Sequence, residues 1–120
     1  MEMNSLITSS PTTMRWLNKI KLEVEKKIPS FAYKESKYWA SFKSSETNRN
    51  FCYLNPQKSQ IRLFTRLNLS YSDSFQPAPS SGGWEREYPS LFVIRTDDMI
   101  EKAIELIISS YNYDLKQQRK

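Results

Sequence analysis

Apolar residues recur at helical spacing in two places, one near each end of the chain. The first stripe follows Ser10 and Pro11, a pair typical of a helix start, because serine caps free N–H groups and proline needs none there. Pro29 ends this helix, since it lacks a donor and restricts the residue before it. The second stripe follows Asp98 and Glu101, whose spacing predicts a capping box. The stripes comprise Met14, Leu17, Ile20, Val24 and Ile28, and then Ile100, Ala103, Ile104, Ile107, Ile108 and Tyr111.

Between the two helices, apolar and polar residues alternate with a period of two, which predicts β-strands. The short connections between the first four strands favour antiparallel neighbours. Residues 68–89 are instead a long polar segment, rich in serine and proline, and are predicted to form a loop. The predicted strands cover residues 31–35, 38–43, 51–54, 61–67 and 90–94.

This order of elements predicts an α+β fold with two layers. We expect an antiparallel sheet of about five strands, with the N- and C-terminal helices on one face and the other face open. A chain of 120 residues fits one such domain, which we place at residues 11–113. Residues 1–10 are predicted to be a flexible N-terminal segment, and residues 114–120 a basic C-terminal tail.

The alternation also predicts which side chains lie on the open face. Aromatic rings stack on bases, and lysine and arginine neutralise phosphates, so this face is a candidate nucleic-acid interface. Alternatively, Trp39 and Phe64 form a second small core under the 68–89 loop, with the basic side chains as a solvated rim. The candidate residues are Trp39, Lys43, Arg62, Phe64 and Arg66.

Charge and composition sharpen this expectation. The chain carries a formal charge of +5, and the stretch from residue 34 to residue 66 alone accounts for +5. A basic excess favours polyanionic partners, DNA above all, although it also contributes to solubility. A protein partner that docks on the open face is the second expectation. The oligomeric state stays open.

Several classes of chemistry are excluded by composition. The chain has no histidine, so it has no Ser-His or Cys-His couple, and the single cysteine, Cys52, can form neither an intrachain disulfide nor a zinc site. We therefore expect no enzymatic activity, no cofactor and no metal, with Cys52 buried as a small apolar residue. No apolar run or signal peptide is evident, so we expect a cytoplasmic protein that does not enter a membrane.

The long loop holds a further candidate. Its Gly82 and Gly83 are the only glycines, and Trp84 follows them directly. A tryptophan beside a flexible glycine pair can serve as a recognition tip for a protein partner, or it can fold back and cover a sheet edge. Both interpretations remain open.

Four short blocks, in order, resemble a pattern from a known family: YWASFK at 38–43, RNFCYL at 49–54, NPQK at 55–58 and IRLF at 61–64. Trp84 and residues 91–111 extend the resemblance. The family is a small uncharacterised domain found at the C-terminus of so-called predicted transport proteins and beside restriction-endonuclease-like modules, and it implies no activity. The strand meander between helices is also similar to the double-wing DNA-binding domain of a phage transcription factor, which implies DNA binding.

Overall fold

A computed structural model of the chain describes residues 6–79 and 84–118 and shows an antiparallel sheet with helices against it. The α+β prediction is confirmed, with six strands instead of about five. The helices are α1 (Pro11–Lys27), α2 (Trp84–Glu87) and α3 (Ile100–Gln118). The strands are β1 (Phe31–Glu35), β2 (Ala40–Ser44), β3 (Asn50–Pro56), β4 (Ile61–Thr65), β5 (Gln76–Pro77) and β6 (Ser90–Ile94). They lie in the order β1-β2-β3-β4-β6-β5.

The additional strand, β5, comes from the segment that we expected to be a loop. Gln76 pairs with Leu91 and Pro77 with Ser90, and the N–H of Ala78 donates to the carbonyl of Pro89 at 3.0 Å. Two residues are too few to show a period of two in a sequence. Proline is tolerated here because β5 lies at the edge of the sheet.

The start of α1 agrees with the prediction from Ser10 and Pro11. The Ser10 hydroxyl accepts from the N–H of Thr13 at 3.2 Å, and the Thr13 hydroxyl accepts from the N–H of Ser10 at 2.9 Å. Two free N–H groups are thus satisfied reciprocally. The segment before the helix is packed rather than loose from residue 6 onward. Leu6 is buried, and its N–H donates to the carbonyl of Ser36 at 2.9 Å.

The main core lies between one face of the sheet and the helices α1 and α3. On β4 the residues Ile61, Leu63 and Thr65 face the helices, and they pair with Ile94, Phe92 and Ser90 of β6. Burial of such apolar side chains supplies most of the stabilisation of a small domain. The predicted stripes supply the helical half of this core, with Leu17, Ile20, Val24, Ala103 and Ile107 fully buried.

Helix α3 is longer than predicted, since it continues to Gln118. We expected residues 114–120 to form a tail because they are polar. Asp114 is nevertheless buried, because Arg49 and Thr47 bind its carboxylate. These contacts join the last turns of α3 to the start of β3.

Candidate nucleic-acid interface

The outer face of the sheet, which points away from α1 and α3, contains a shallow depression over β1, β2 and β3. We call this cavity of about 460 Å³ the outer depression. Its floor is made of the small side chains of Ala32 and Ser41, which pair with Lys43 and Lys34 respectively. The two lysines are therefore diagonal neighbours across strands, and both are exposed. The lining residues are Ala32, Lys34, Ser36, Trp39, Ser41, Lys43, Asn50 and Tyr53.

An irregularity in the pairing of β2 with β3 determines which side chains reach the outer depression. Phe42 pairs with Cys52, but Lys43 pairs with Asn50, so Phe51 is an additional residue on β3. The bulge lets Phe51 and Cys52 both enter the main core, where they are fully buried. It also places Asn50 beside Lys43 on the outer face.

The aromatic rings of the outer depression are held in fixed positions by one another. Trp39 is half-buried and meets the rings of Tyr53 and Phe64 edge-on, with ring centroids 6.0 Å and 5.6 Å away. The amide nitrogen of Asn50 donates to the Tyr53 hydroxyl at 2.8 Å. Edge-to-face pairs of this kind contribute roughly 0.5–1.5 kcal/mol beyond burial, so the ring of Trp39 is preorganised.

The outer face over β4 and β6 is not open. Phe64 is only 1% exposed, because it packs in a second small core. The expectation that Phe64 is available to a ligand is therefore corrected. This core corresponds to the alternative interpretation of the sequence, in which Trp39 and Phe64 form a second small core. Trp39, however, packs at the border of this core and remains partly exposed. Its members are Phe64, Ala78, Tyr88, Leu91 and Val93.

The two candidate arginines are engaged within the protein. Arg62 donates through Nε and Nη2 to the Oδ1 atom of Asn55, both at 3.2 Å, and its Cζ lies 5.4 Å from the ring centroid of Phe64. Arg66 donates through Nε to the carbonyl of Asn50 at 2.9 Å. The Arg66 side chain is 15% exposed, whereas Lys43 is exposed and lines the outer depression. Of the basic residues that we singled out, Lys43 alone lines the outer depression.

Tyr88 connects the second core to Arg66. Its hydroxyl accepts from Nη2 of Arg66 at 3.0 Å and donates to the carbonyl of Asn50 at 2.9 Å. Burial raises the pKa of this hydroxyl above its usual range, although the guanidinium of Arg66 acts in the opposite direction. Tyr88 therefore stays protonated at neutral pH and keeps its role as a donor.

The candidate loop tip comprises Gly82, Gly83 and Trp84. Gly82 and Gly83 lie outside the described residues, as does the side chain of Trp84, while the backbone of Trp84 opens α2. Its proposed role as a recognition tip or an edge cover stays a prediction.

Lys34 and Tyr53, the other basic and aromatic residues that line the outer depression, were missed by the sequence analysis. Lys34 could have been found, because Ala32 and Lys34 alternate with Phe31 and Tyr33 in a strand that was predicted. Tyr53 could not be placed without the bulge, since strict alternation does not fit the four consecutive aromatic or apolar residues from Phe51 to Leu54. Within the described ranges, the side chains that line the outer depression include no carboxylate.

Neither a metal-binding cluster, nor a membrane-spanning helix, nor a similar protein assigns a function to the described part of the chain. Among residues 6–79 and 84–118, no three His, Cys, Asp or Glu side chains gather as they would around a metal ion. No helix in the described part of the chain has the length and apolar character needed to cross a membrane. No protein-family model matches the chain, and no curated protein or solved structure matches it either. The family resemblance therefore stays a prediction.

Proposed function

We propose that this chain is a nucleic-acid-binding module that holds a single strand of DNA against the outer depression. One observation carries the proposal: a preorganised, partly exposed Trp39 ring shares a small-floored depression with the exposed Lys34 and Lys43, and none of the described side chains that line it is a carboxylate. Proteins usually bind single strands by stacking aromatic side chains on the bases and neutralising the phosphate backbone of the nucleic acid with basic side chains.

The arrangement along β2 fits a strand better than a small ligand. Trp39, Ser41 and Lys43 follow one another on the same face, so Trp39 and Lys43 are about 13 Å apart by the rise of a β-strand. That length spans more than one nucleotide. A base can stack at Trp39 while the phosphates beyond it lie near the lysines.

A single strand is favoured over a duplex because only unpaired bases can leave their neighbours and stack on a protein ring. Lysine contacts with phosphates carry no sequence information. We therefore expect weak dependence on base sequence.

The proposal is tested by titrating the protein into a fluorescently labelled single-stranded oligonucleotide of about 12 nucleotides and measuring anisotropy. Loss of one stacked base costs about 1–3 kcal/mol, so Trp39→Ala should weaken binding about five- to 150-fold. Trp39→Phe should retain part of the affinity. Tyr71→Ala is the matched control, since Tyr71 is a 54% exposed aromatic residue outside the outer depression.

Melting temperatures of the variants separate lost contacts from lost folding. Equal affinity of the wild type and a folded Trp39→Ala variant would contradict the proposal. So would the absence of binding to DNA and RNA at low salt, and that result would favour a protein partner. Duplex binding as tight as single-strand binding would contradict the single-strand mechanism.

A further inference from the structure

A second cavity lies where β3 begins and β4 ends, between α2 and the last turns of α3. This cavity of about 330 Å³ is lined by Arg49, Arg66 and Arg86 together with Asn68, Glu87 and Gln117, and we call it the arginine pocket. The three guanidinium groups come from three separate segments: the turn before β3, the residue after β4, and α2. Only the fold brings them together.

A buried carboxylate holds two of these arginines in place. Asp114 is 1% exposed and accepts from Nε of Arg49 at 2.8 Å. Nε of Arg66 lies 3.6 Å from the same carboxylate oxygen. Nη2 of Arg49 also donates to the backbone carbonyl of Asp114, at 3.2 Å. One carboxylate neutralises only one of the two guanidinium charges, so a positive charge remains beside the arginine pocket.

The arginines keep N–H groups that no hydrogen bond among the described residues uses. A guanidinium has five N–H donors, and the described bonds of Arg49 use its Nε and one Nη2 donor. Arg66 likewise donates through Nε and through Nη2, to the Asn50 carbonyl and the Tyr88 hydroxyl. Arg86 is exposed, and none of the ion pairs among the described side chains involves it. The unused donors are available to an anion.

The carboxylate of Glu87 interacts only weakly with the arginine pocket. Its carboxylate is 4.0 Å from Nη2 of Arg66, and its side chain is 70% exposed. Exposed pairs of this kind contribute little to stability. A stronger anion can therefore displace it at small cost.

We propose that the arginine pocket binds a phosphate group. Guanidinium groups bind phosphate through paired N–H···O bonds, and a phosphate carries more oxygens and more charge than a carboxylate. Three arginines that exceed their local carboxylates in charge suit a dianion. The inference does not depend on the function proposed above, because it needs neither Trp39 nor a nucleic acid.

The phosphate can come from two sources. It can be a free phosphate or small phosphate ester, or it can be the terminal phosphate of a strand on the outer depression. Asn50 adjoins both cavities, since its side chain lines the outer depression and its carbonyl accepts from Arg66.

The site is tested by titrating inorganic phosphate against chloride at constant ionic strength and following the arginine Nε–H signals by NMR. We expect saturable shifts of the Arg49, Arg66 and Arg86 signals. Arg86→Gln should weaken phosphate binding at least about tenfold, the loss expected for charge-assisted hydrogen bonds. The phosphate affinity of Arg86→Lys should lie between those of the wild type and Arg86→Gln, because lysine keeps the charge but loses the paired N–H geometry of a guanidinium. Glu87→Gln should tighten binding by removing the competing carboxylate.

Arg95→Gln is the matched control, since Arg95 is an exposed arginine outside the arginine pocket. It should leave the phosphate affinity unchanged. The proposal is overturned if no saturable shift appears at tens of millimolar phosphate, or if Arg86→Gln, with an unchanged melting temperature, binds phosphate as the wild type does.

Oligonucleotides with a terminal phosphate or a terminal hydroxyl distinguish the two sources. Tighter binding of the phosphorylated strand, lost in Arg86→Gln, supports the terminal phosphate. Equal binding of the two strands, with saturable shifts by inorganic phosphate, supports a free phosphate. Trp39→Ala should weaken strand binding about five- to 150-fold and leave inorganic phosphate binding intact. If the protein binds oligonucleotides but does not respond to inorganic phosphate, the proposed phosphate site is overturned. The proposed single-strand binding at the outer depression is not affected by that result.

Discussion

At the scale of single residues, burial decides the chemistry of Cys52. The thiol is fully buried in the main core, and burial raises its pKa well above the ordinary value. The thiolate is the reactive form of cysteine, so Cys52 is inert in the folded protein. The prediction that Cys52 acts as a small buried apolar residue is confirmed as far as burial is concerned.

The raised pKa of Cys52 makes stability fall at alkaline pH. The unfolded thiol ionises near pH 8.5, whereas burial raises the pKa of the folded thiol well above that value, so the stabilisation is complete below about pH 8.5 and is lost as pH rises toward the folded pKa. The expected loss is about 1.4 kcal/mol of unfolding free energy per pH unit above about pH 9. Burial also raises the pKa of Tyr33 and Tyr111, which adds to the loss at higher pH.

Urea unfolding at several pH values between about 7.5 and 10 measures this dependence. Cys52→Ala should have a shallower decline than the wild type just above about pH 9, because only the tyrosines then contribute. Identical slopes for the two proteins would show that the thiol titrates equally in both states.

At the scale of elements, Ala78 after β5 and Tyr88 before β6 cover the outer face of β4. Tyr88 is 7% exposed, and its ring centroid lies 5.1 Å from that of Tyr53. The guanidinium of Arg66 lies over the same ring, with its Cζ 4.7 Å from the ring centroid. Tyr88 therefore joins the second core to the outer depression and to the arginine pocket.

We expect Tyr88→Ala to lower the unfolding free energy by about 3 kcal/mol, the usual cost of truncating a buried aromatic residue. Urea denaturation gives the value. Tyr71→Ala, at an exposed aromatic position, should change stability by no more than about 1 kcal/mol. If Tyr88→Ala cost no more than this control, the second core would not be a stabilising unit.

The same elements show what sequence patterns can and cannot predict. Strand β6 was predicted with its observed bounds, because flanking polar residues limit a clear apolar run. The bulge at Phe51 was missed, since a period-two pattern assumes that every residue is paired. The end of α3 was missed too, because Asp114 is buried by partners 65 and 67 residues away in the sequence.

The candidate site was predicted only in part for a related reason. Trp39 and Lys43 follow from alternation within one strand and lie where the sequence placed them. The burial of Phe64 depends on Ala78 and Tyr88, which reach it from a segment with no periodic pattern. The partners of Arg66 come from β3, from α3 and from the segment before β6.

At the scale of the whole molecule, the net charge of +5 and the position of the lysines make different predictions. If charge alone attracted a nucleic acid, any two lysines would contribute equally. If the outer depression holds the strand, Lys34 and Lys43 release counterions from the phosphates that they contact, and other exposed lysines do not.

The most direct measurement is the salt dependence of single-strand binding for two double variants of equal charge. Lys34→Gln with Lys43→Gln removes the lysines of the outer depression, and Lys19→Gln with Lys27→Gln removes two exposed lysines of α1. The first pair should flatten the slope of log K against log salt by about 1.4, the value for two lost phosphate contacts on a single strand. The α1 pair should keep the wild-type slope. Equal slopes for the two double variants would contradict the account.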